Sequence, residues 1–266
     1  MKATILQKWM VLSLRIVAGI LVVCILVSVF LPVPGDAAGV SSASKVVETV
    51  STLKRSGNTN PDHKRDNKKL IALTFDDGPT PDVTNRILDS LEKYNARATF
   101  FVVGRQLEYD GKVVNRAVKA GCEIGNHTWE HKQFYKYSTK QMKTTLQKTR
   151  KIVKGKTGAD VILVRPTYGQ VNGKTRKKVK YPMIYWNVDT EDWRNRNASK
   201  ILNKVKGKVK DGDIILMHDL YGATADAVKK IIPYLQKQGF ELVTVSELMK
   251  AKGIKLQGGK VYYSAR

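Results

Sequence analysis

The sequence has few cysteines, and this limits the kinds of site it can build. Only two occur in 266 residues, Cys24 and Cys122. Cys24 lies in an N-terminal apolar run and Cys122 is alone in the rest of the chain, so no disulfide can form within that part. A structural zinc site built on thiolates is excluded as well, because such sites need several cysteines.

Long hydrophobic runs are also scarce. The exception is "IVAGILVVCILVSVFLPV" at 16–33, an uncharged segment about long enough to span a bilayer. Basic residues precede it, which places the N-terminus inside and the remaining chain outside. We predict that residues 1–38 form a signal anchor, which the length of the run favours, or a signal peptide cleaved near "GDAAG". The rest of the chain is then extracytoplasmic, held at the membrane by this helix or secreted after cleavage.

Acidic residues are outnumbered, with 23 Asp and Glu against 47 Lys and Arg, and the formal net charge is +24. This charge favours anionic partners but does not choose among nucleic acid, acidic lipid and wall polymers. The chain is predicted to be exported and has no recognised nucleic-acid-binding motif, so we expect no nucleic acid partner. Anionic cell wall polymers are the partner that we expect for the basic stretches at 143–156 and 172–180.

The chain divides into three parts after residue 38. Residues 39–68 are polar and aperiodic, which is typical of a linker. Residues 69–252 alternate short apolar runs with amphipathic stretches, which predicts an α/β domain with a parallel sheet and crossover helices. About seven such units favour barrel-like closure over an open doubly wound sheet. For the tail, 253–266, the expected structure is a terminal hairpin, and no function is assigned to it.

The predicted elements follow apolar patterning and capping signals. Pro81 predicts the first helical position after the first strand, and Ser138 with Gln141 predicts a capping box. Two later helices are predicted near 198–209 and 224–238. The predicted strands are "LIALTF" (70–75), "ATFFVVG" (98–104), "CEIGNH" (122–127), "VILVRP" (161–166), "PMIYWNVD" (182–189), "DIILMHD" (213–219) and "FELVTV" (240–245).

Polar side chains stand where these strands end. Because barrel enzymes assemble their active sites at the C-terminal ends of parallel strands, these side chains are candidates for a common site. They are Asp76, Asp77, His127, Arg165, Asp189 and His218.

The segment "HTWEH" at 127–131 has the spacing of a metal-binding pair. Two histidines four residues apart point the same way on a helical turn. A zincin motif does not fit, because Thr128 occupies the position of its catalytic glutamate. Asp76 and Asp77 can supply a third ligand and a base, and two imidazoles with one carboxylate leave positions open on a divalent metal.

Five ordered motifs then resemble a known family. They are "TFDDGP" (74–79), "HTWEH" (127–131), "RPTYG" (165–169), "DTEDW" (189–193) and "ILMH" (215–218). The region from roughly 69 to 250 resembles the polysaccharide deacetylases, carbohydrate esterase family 4, which share the NodB homology domain. The resemblance implies a deformed (β/α) barrel of about seven parallel strands.

The resemblance also implies a metal centre and a base. Asp77, His127 and His131 would bind one divalent metal ion, usually Zn²⁺, with Co²⁺ or Mn²⁺ as alternatives. Asp76 would be the general base that takes a proton from the attacking water. Arg165 would orient Asp76 through a charge-assisted pair.

The remaining site residues are implied in the same way. Asp192 would hold the arginine that orients the base, and His218 would protonate the departing amine. Trp193 and Leu216 would line the pocket for the acetyl methyl, and the backbone N–H of Tyr168 would help to bind the oxyanion.

The expected function is metal-dependent removal of N-acetyl groups from GlcNAc units of an extracellular polysaccharide, with peptidoglycan as the expected glycan. Chitooligosaccharide, MurNAc units and acetylated xylan remain alternative substrates. A metal-independent glycosidase and a non-catalytic wall-binding module are the other classes. The third motif has Thr167 where many members have proline, and Cys122 replaces a common histidine. Neither is an assigned catalytic position, so we expect activity rather than a pseudoenzyme.

Overall fold

The computed structural model describes residues 68–266. The predicted anchor or signal peptide, residues 1–38, and all but the last residue of the predicted linker lie outside this part of the chain. In the part that is described, no helix combines the length and the apolar character that crossing a bilayer requires.

The described chain alternates strands and helices, as the sequence predicts. The strands are β1 (Lys69–Asp76), β2 (Ala98–Val102), β3 (Glu123–Asn126), β4 (Met183–Ile184), β5 (Val188–Asp189), β6 (Ile214–His218), β7 (Phe240–Leu242) and β8 (Val261–Tyr262). The helices are α1 (Pro81–Lys93), α2 (Leu107–Lys119), α3 (Thr139–Thr157), α4 (Gly173–Arg176), α5 (Asp192–Asn195), α6 (Ala198–Val205), α7 (Gly222–Lys237) and α8 (Val245–Ala251).

The prediction of a parallel sheet is confirmed. The main sheet has the order β3-β2-β1-β6-β5, with β7 paired to the first residues of β1. Val164 forms one bridge to Asn126 of β3 and another to Met183 of β4, and so links these two strands. Strand β4 also pairs with β8. Every one of these pairings is parallel. Within residues 68–266 no ladder joins β5 to this second pair. The strands therefore follow a barrel order without complete backbone closure.

Strand β1 is the centre of the fold. Its residues from Ile71 to Asp76 are all buried, as expected for a strand covered on both faces. Ile71, Leu73 and Phe75 face a core shared with the helices. Ala72 belongs to a second core on the other face. Since side chains alternate, Asp76 points to the same face as Ala72, toward the inside of the strand arrangement.

Two capping predictions fit the structure, and one helix is shorter than predicted. Pro81 is the first residue of α1. Ser138 and Gln141 exchange both bonds of the predicted capping box at α3. Helix α6 ends at Val205 rather than near 209, because Gly207 adopts a positive φ of 68° that the helix cannot continue through.

Three strand predictions exceeded the observed strands by three residues or more, whereas the others agree to within two residues in length. The segment 161–166 contributes only the bridge at Val164. The segment 182–189 breaks into two strands of two residues each. Strand β7 stops at Leu242, because the Thr244 side chain caps α8 in a capping box with Glu247.

The predicted terminal hairpin was wrong. Strand β8 pairs in parallel with β4, so it cannot be one arm of a hairpin with its neighbour in sequence. The Met183 N–H donates to the Lys260 carbonyl, and the Tyr185 N–H donates to the Tyr262 carbonyl. The tail therefore satisfies the backbone of an otherwise unpaired edge of β4.

Candidate active site

The parallel register brings the ends of three strands to one edge. Asp76 at the end of β1 is the direct partner of His218 at the end of β6. Strand β3 ends at Asn126, in register with Val102 of β2. His127 therefore follows at the same edge, and the strand-end residues that the sequence singles out meet there.

Three of these side chains converge on one point. Asp77 Oδ1 lies 3.3 Å from His127 Nε2 and 3.0 Å from His131 Nε2. These potential ligand atoms all lie within 4.8 Å of one another. Burial opposes the ionisation of Asp77, but when the two imidazoles are protonated their interaction with the carboxylate outweighs burial and holds the pKa of this carboxyl well below its usual range.

The tautomer of His127 prepares it to bind a cation. Its Nδ1 lies 2.7 Å from the Arg165 carbonyl oxygen, which can only accept, so Nδ1 carries the proton. In the neutral imidazole the lone pair is then on Nε2, the atom that faces Asp77. Asp77 Oδ1 is buried and accepts no hydrogen bond from the described residues. A divalent cation fits this set of ligand atoms. The Asp77 oxygen and the His127 Nε2 lone pair face each other with no proton to share, and a cation would bind both.

The predicted helical turn at 127–131 was wrong. The segment is a loop, and positive φ values at Thr128 (69°) and His131 (53°) turn both imidazoles inward. The Asn126 side chain accepts from the Thr128 N–H at 2.9 Å, and the Thr128 hydroxyl accepts from the His131 N–H at 3.1 Å. These bonds stabilise a backbone conformation that non-glycine residues rarely adopt.

Asp76 is held by a buried arginine. Arg165 Nη1 donates to Asp76 Oδ1 at 2.7 Å and to the Thr74 hydroxyl at 2.8 Å. The remaining guanidinium nitrogens donate to the carbonyls of Ile184 and Tyr185. The Asp76 Oδ1 atom is therefore occupied, whereas Oδ2 faces the metal-ligand cluster, 3.7 Å from His127 Nε2.

The family resemblance implied that Asp192 holds Arg165, but the two side chains are not bonded to each other. Asp192 is fully buried, and its Oδ1 lies 2.8 Å from His218 Nδ1. Its Oδ2 accepts from the His218 N–H and from the Thr224 hydroxyl, both at 2.7 Å. Within the described residues, the Arg165 guanidinium donates to Asp76, Thr74 and two backbone carbonyls. Its hydrogen bonds are therefore satisfied without an acidic side chain from α5.

The environment of His218 favours the imidazolium. Burial alone would lower its pKa, but the hydrogen bond to Asp192 and the charges of Asp192, Asp76 and Asp77 raise the pKa of His218 to about 9. Since Nδ1 is bonded to Asp192, the remaining N–H is on Nε2. The ring lines the cleft, so this proton is available to a bound molecule.

These groups share a cleft of about 520 Å³. Leu216 is buried at its floor, and Trp193 is about half exposed at its side. Tyr168 also lines the cleft, with a φ of 60° and its ring 4.7 Å from that of His131. The structure therefore brings together the ten residues to which the resemblance gave a role, eight of them lining the cleft and the other two, Arg165 and Asp192, bonded to Asp76 and His218 behind it.

Four residues that line the cleft received no role from the sequence: Gly169, Gln170, Trp186 and Asp189. Asp189 was noticed only as a strand end, and its Oδ1 accepts from the Glu191 N–H at 2.8 Å. Trp186 lies 5.5 Å from the Arg165 guanidinium and lines the same cleft. Trp186 falls inside a predicted strand, where an aromatic residue is ordinary and gives no signal of a site.

Asp219 is the main residue that sequence reasoning missed. It is buried beneath the Asp-Asp-Gly turn, where its Oδ2 accepts from the Thr84 hydroxyl at 2.5 Å and its N–H donates to the Asp76 carbonyl. Burial, with the nearby acids, raises the pKa of Asp219 to about 7. A Cβ at Gly78 would lie 2.1 Å from Asp219 Oδ2, so this position requires glycine. Its place directly after His218 was the available signal.

Known proteins provide an independent comparison. Residues 63–183 match a family model described as polysaccharide deacetylase. The chain is 45% identical over 186 residues to peptidoglycan-N-acetylmuramic acid deacetylase PdaC of Bacillus subtilis, covering 70% of this chain and 40% of that protein. It is 42% identical over 200 residues to peptidoglycan-N-acetylglucosamine deacetylase PgdA of Listeria monocytogenes, covering 75% and 42%. The chain thus spans about two fifths of the length of these curated relatives.

A solved structure matches more completely. The family 4 acetyl xylan esterase from Clostridium thermocellum, in complex with a cobalt ion, is 33% identical with a TM-score of 0.71. The match covers 74% of this chain and 98% of that one. The motifs, the parallel fold and these similarities lead to one conclusion. The chain belongs to the polysaccharide deacetylase family.

Proposed function

We propose that this protein is a metal-dependent hydrolase that removes N-acetyl groups from the GlcNAc units of peptidoglycan and releases acetate. One observation carries the proposal. A buried base, a cluster of one carboxylate and two imidazoles, and a histidine held as an acid all open into one cleft. This is the set of groups that hydrolysis of an amide requires.

Asp77, His127 and His131 would hold the cation, for which we propose Zn²⁺. When bound, a divalent cation polarises a carbonyl and lowers the pKa of a water molecule. Three protein ligands leave coordination positions free, as catalytic zinc sites do. The cobalt ion in the similar esterase supports a site that accepts more than one divalent metal.

Asp76 acts as the base. Its Oδ1 is fixed by Arg165, so Oδ2 is the atom that accepts the proton of the attacking water. The full burial of Arg165 keeps this pair in one position, because its guanidinium has four acceptors within 3.0 Å. The base is therefore oriented before the substrate arrives.

His218 acts as the acid. Its Nε2–H donates to the amide nitrogen as the bond to the acetyl carbon breaks, and the products are acetate and a free amine. Asp192 keeps the imidazolium charged and fixes its orientation through Nδ1. Leu216 and Trp193 provide the apolar surface for the acetyl methyl, and the Tyr168 N–H is the donor proposed for the oxyanion.

The substrate and location extend the proposal beyond the site. Two relatives named as peptidoglycan deacetylases support a wall glycan. The uncharged run at 16–33 supports an extracytoplasmic enzyme, anchored by residues 1–38 or secreted if they are cleaved. The second candidate is deacetylation of MurNAc units, favoured by the 45% identity to the deacetylase named for that sugar.

The test is acetate release from purified peptidoglycan by the full-length protein, with zinc or with a chelator. Fragments released by a muramidase are then mapped by mass spectrometry. We expect chelator-sensitive acetate release that maps to GlcNAc. Acetate that maps to MurNAc would select the second candidate, and release only from acetylated xylan or chitooligosaccharide would overturn the wall substrate. No release from any glycan would favour a binding module.

Two histidine variants separate the metal from the acid. His131→Ala should lose both turnover and bound zinc, because it removes a ligand. His218→Ala should lose turnover with zinc retained, because it is not a ligand. Metal content measured by mass spectrometry distinguishes the two. If zinc also disappears from His218→Ala, its role as the acid is wrong.

A further inference from the structure

A second cavity adjoins the catalytic cleft. It has a volume of about 700 Å³ and lies between the loop that carries His131 and the first half of α3. His131 and Tyr168 line both this cavity and the cleft. We name it the lysine groove, because Lys132, Lys136, Lys140 and Lys148 all line it.

The charge of the lysine groove is largely uncompensated. Among the described residues that line it, Glu130 alone is acidic, and it pairs with Lys132 at 2.9 Å. Lys136 and Lys140 are exposed and make no ion pair with any residue in 68–266. Helix α3 contains no Asp or Glu at all, so no acid one turn away neutralises them. The groove therefore attracts an anion.

The groove also has aromatic walls. Trp129, Tyr137 and Tyr168 line it, and Lys148 Nζ lies 3.6 Å from the centre of the Trp129 ring. Flat aromatic faces with a few polar groups are typical of sites for ring-shaped organic ligands. A groove of this kind suits a sugar that carries a negative group better than a bare inorganic ion.

We propose that the lysine groove binds a carboxylate-bearing branch of the same N-acetylated glycan strand whose acetyl group occupies the cleft. The inference rests on the proposed function and names the substrate feature that the site selects. Continuity carries it, because a strand that leaves the cleft past His131 and Tyr168 enters the groove directly. In peptidoglycan the sugars next to GlcNAc carry lactyl-peptide carboxylates, whereas chitooligosaccharide is neutral.

The test compares two glycan oligomers that differ only in charge. One keeps its lactyl-peptide carboxylates, and in the other they are amidated. The variant Lys136→Gln/Lys140→Gln removes two groove charges. The matched control, Lys229→Gln/Lys230→Gln, removes two exposed charges on α7 that line neither cavity. Both pairs are exposed, so both variants should fold, which thermal melting checks.

We expect the wild type to prefer the carboxylate oligomer by about fivefold in kcat/KM at low salt, as fits a few exposed charge interactions. The preference should disappear in Lys136→Gln/Lys140→Gln and at high salt, and should remain in the control. Rates on the amidated oligomer should not change. The inference would be overturned if both variants had the same preference for the carboxylate oligomer, or if the wild type had no preference. Either result would leave the deacetylase proposal intact.

Two further measurements keep the proposals separate. If no glycan releases acetate, the deacetylase proposal fails, and calorimetric titration of the two oligomers still shows whether the groove distinguishes carboxylate from amide. A polyglycerol phosphate is the third probe. If it binds in a lysine-dependent way and the carboxylate oligomer does not, the groove takes a phosphate polymer and the inference is wrong.

Discussion

The pairing of Asp192 with His218 gives the sharpest prediction. In Asp192→Asn the charge that favours the imidazolium is lost. Asp192 accepts four hydrogen bonds, from Trp193 N–H, Thr224 Oγ1–H and both the backbone N–H and Nδ1 of His218. An asparagine offers one oxygen to these donors, so it also weakens the orientation of the ring.

The magnitude follows from the pKa of His218, which rises from 6.5 to about 9 in the folded protein. A shift of this size corresponds to about 3 kcal/mol. Without Asp192, the hydrogen bond and the charge that contribute most to raising the pKa are lost, and burial again lowers it. We therefore expect a pKa near or below 6.5 in Asp192→Asn. At pH 8 the protonated fraction should then fall by about 30-fold.

The assay is the pH profile of kcat/KM for acetate release. The basic limb should move from near pH 9 to near pH 6.5, while the activity at pH 5.5 changes far less. Thr224→Val is the matched control, because it removes one hydrogen bond to Asp192 without changing the charge. Its basic limb should stay in place, with a loss of about 1 kcal/mol of stability.

Stability provides a second measurement of the same interaction. The folded pKa of His218 lies above its unfolded value, so the stabilisation is complete below pH 6.5 and is lost as the pH rises through about 9. Relative to Asp192→Asn, the wild type should lose about 3 kcal/mol of unfolding free energy over this interval. An unmoved basic limb, or equal losses of activity at pH 5.5 and pH 8, would show that Asp192 does not control the protonation of His218.

The remaining predictions concern three other interactions. Arg165→Met should lose acetate release and about 3–5 kcal/mol of stability in urea titration, because it leaves Asp76 buried without its partner; a stable variant would show that Asp76 is solvated. Gly78→Ala should melt at a lower temperature and lose activity, since its Cβ would collide with the Asp219 carboxylate; combining it with Asp219→Gly should recover stability if the collision is the cause. Ser138→Ala should cost about 1 kcal/mol in thermal unfolding with unchanged kcat, and a larger loss would mean that the capping box supports more than α3.

The general position of the site could be predicted because it depends on periodicity alone. A buried run such as Ile71–Phe75 must be an interior strand, and the residues just after it lie at the sheet edge where neighbouring parallel strands also end. Asp76, His127 and His218 are therefore expected together from the sequence alone. The capping box at α3 was predictable for a similar reason, since its two partners are three residues apart.

The missed features depend on contacts between distant parts of the chain. The inward turn of His131 needs a positive φ at Thr128, which the Asn126 side chain stabilises, and a helical spacing rule contains no such information. In the sequence Asp219 has no feature that distinguishes it from an ordinary loop residue, and its role follows only from its packing against Gly78 in the structure. The partner of Asp192 was assigned by resemblance, and only the position of α5 beside β6 shows that it is His218.

The base and the acid are positioned by the sheet but controlled by residues outside it. Asp76 and His218 are register partners on adjacent strands, so the ladder fixes their backbones about 5 Å apart. Arg165 directly follows the single bridge at Val164, and Asp192 is the first residue of the short helix α5, so neither partner lies in a long strand. Replacing a whole buried ion pair by apolar residues often costs little stability, although removing one partner alone is strongly destabilising, so the contribution of these pairs to function is orientation and, for His218, protonation. Substitutions at these partners should therefore change the pH profile and turnover while leaving the strand register intact.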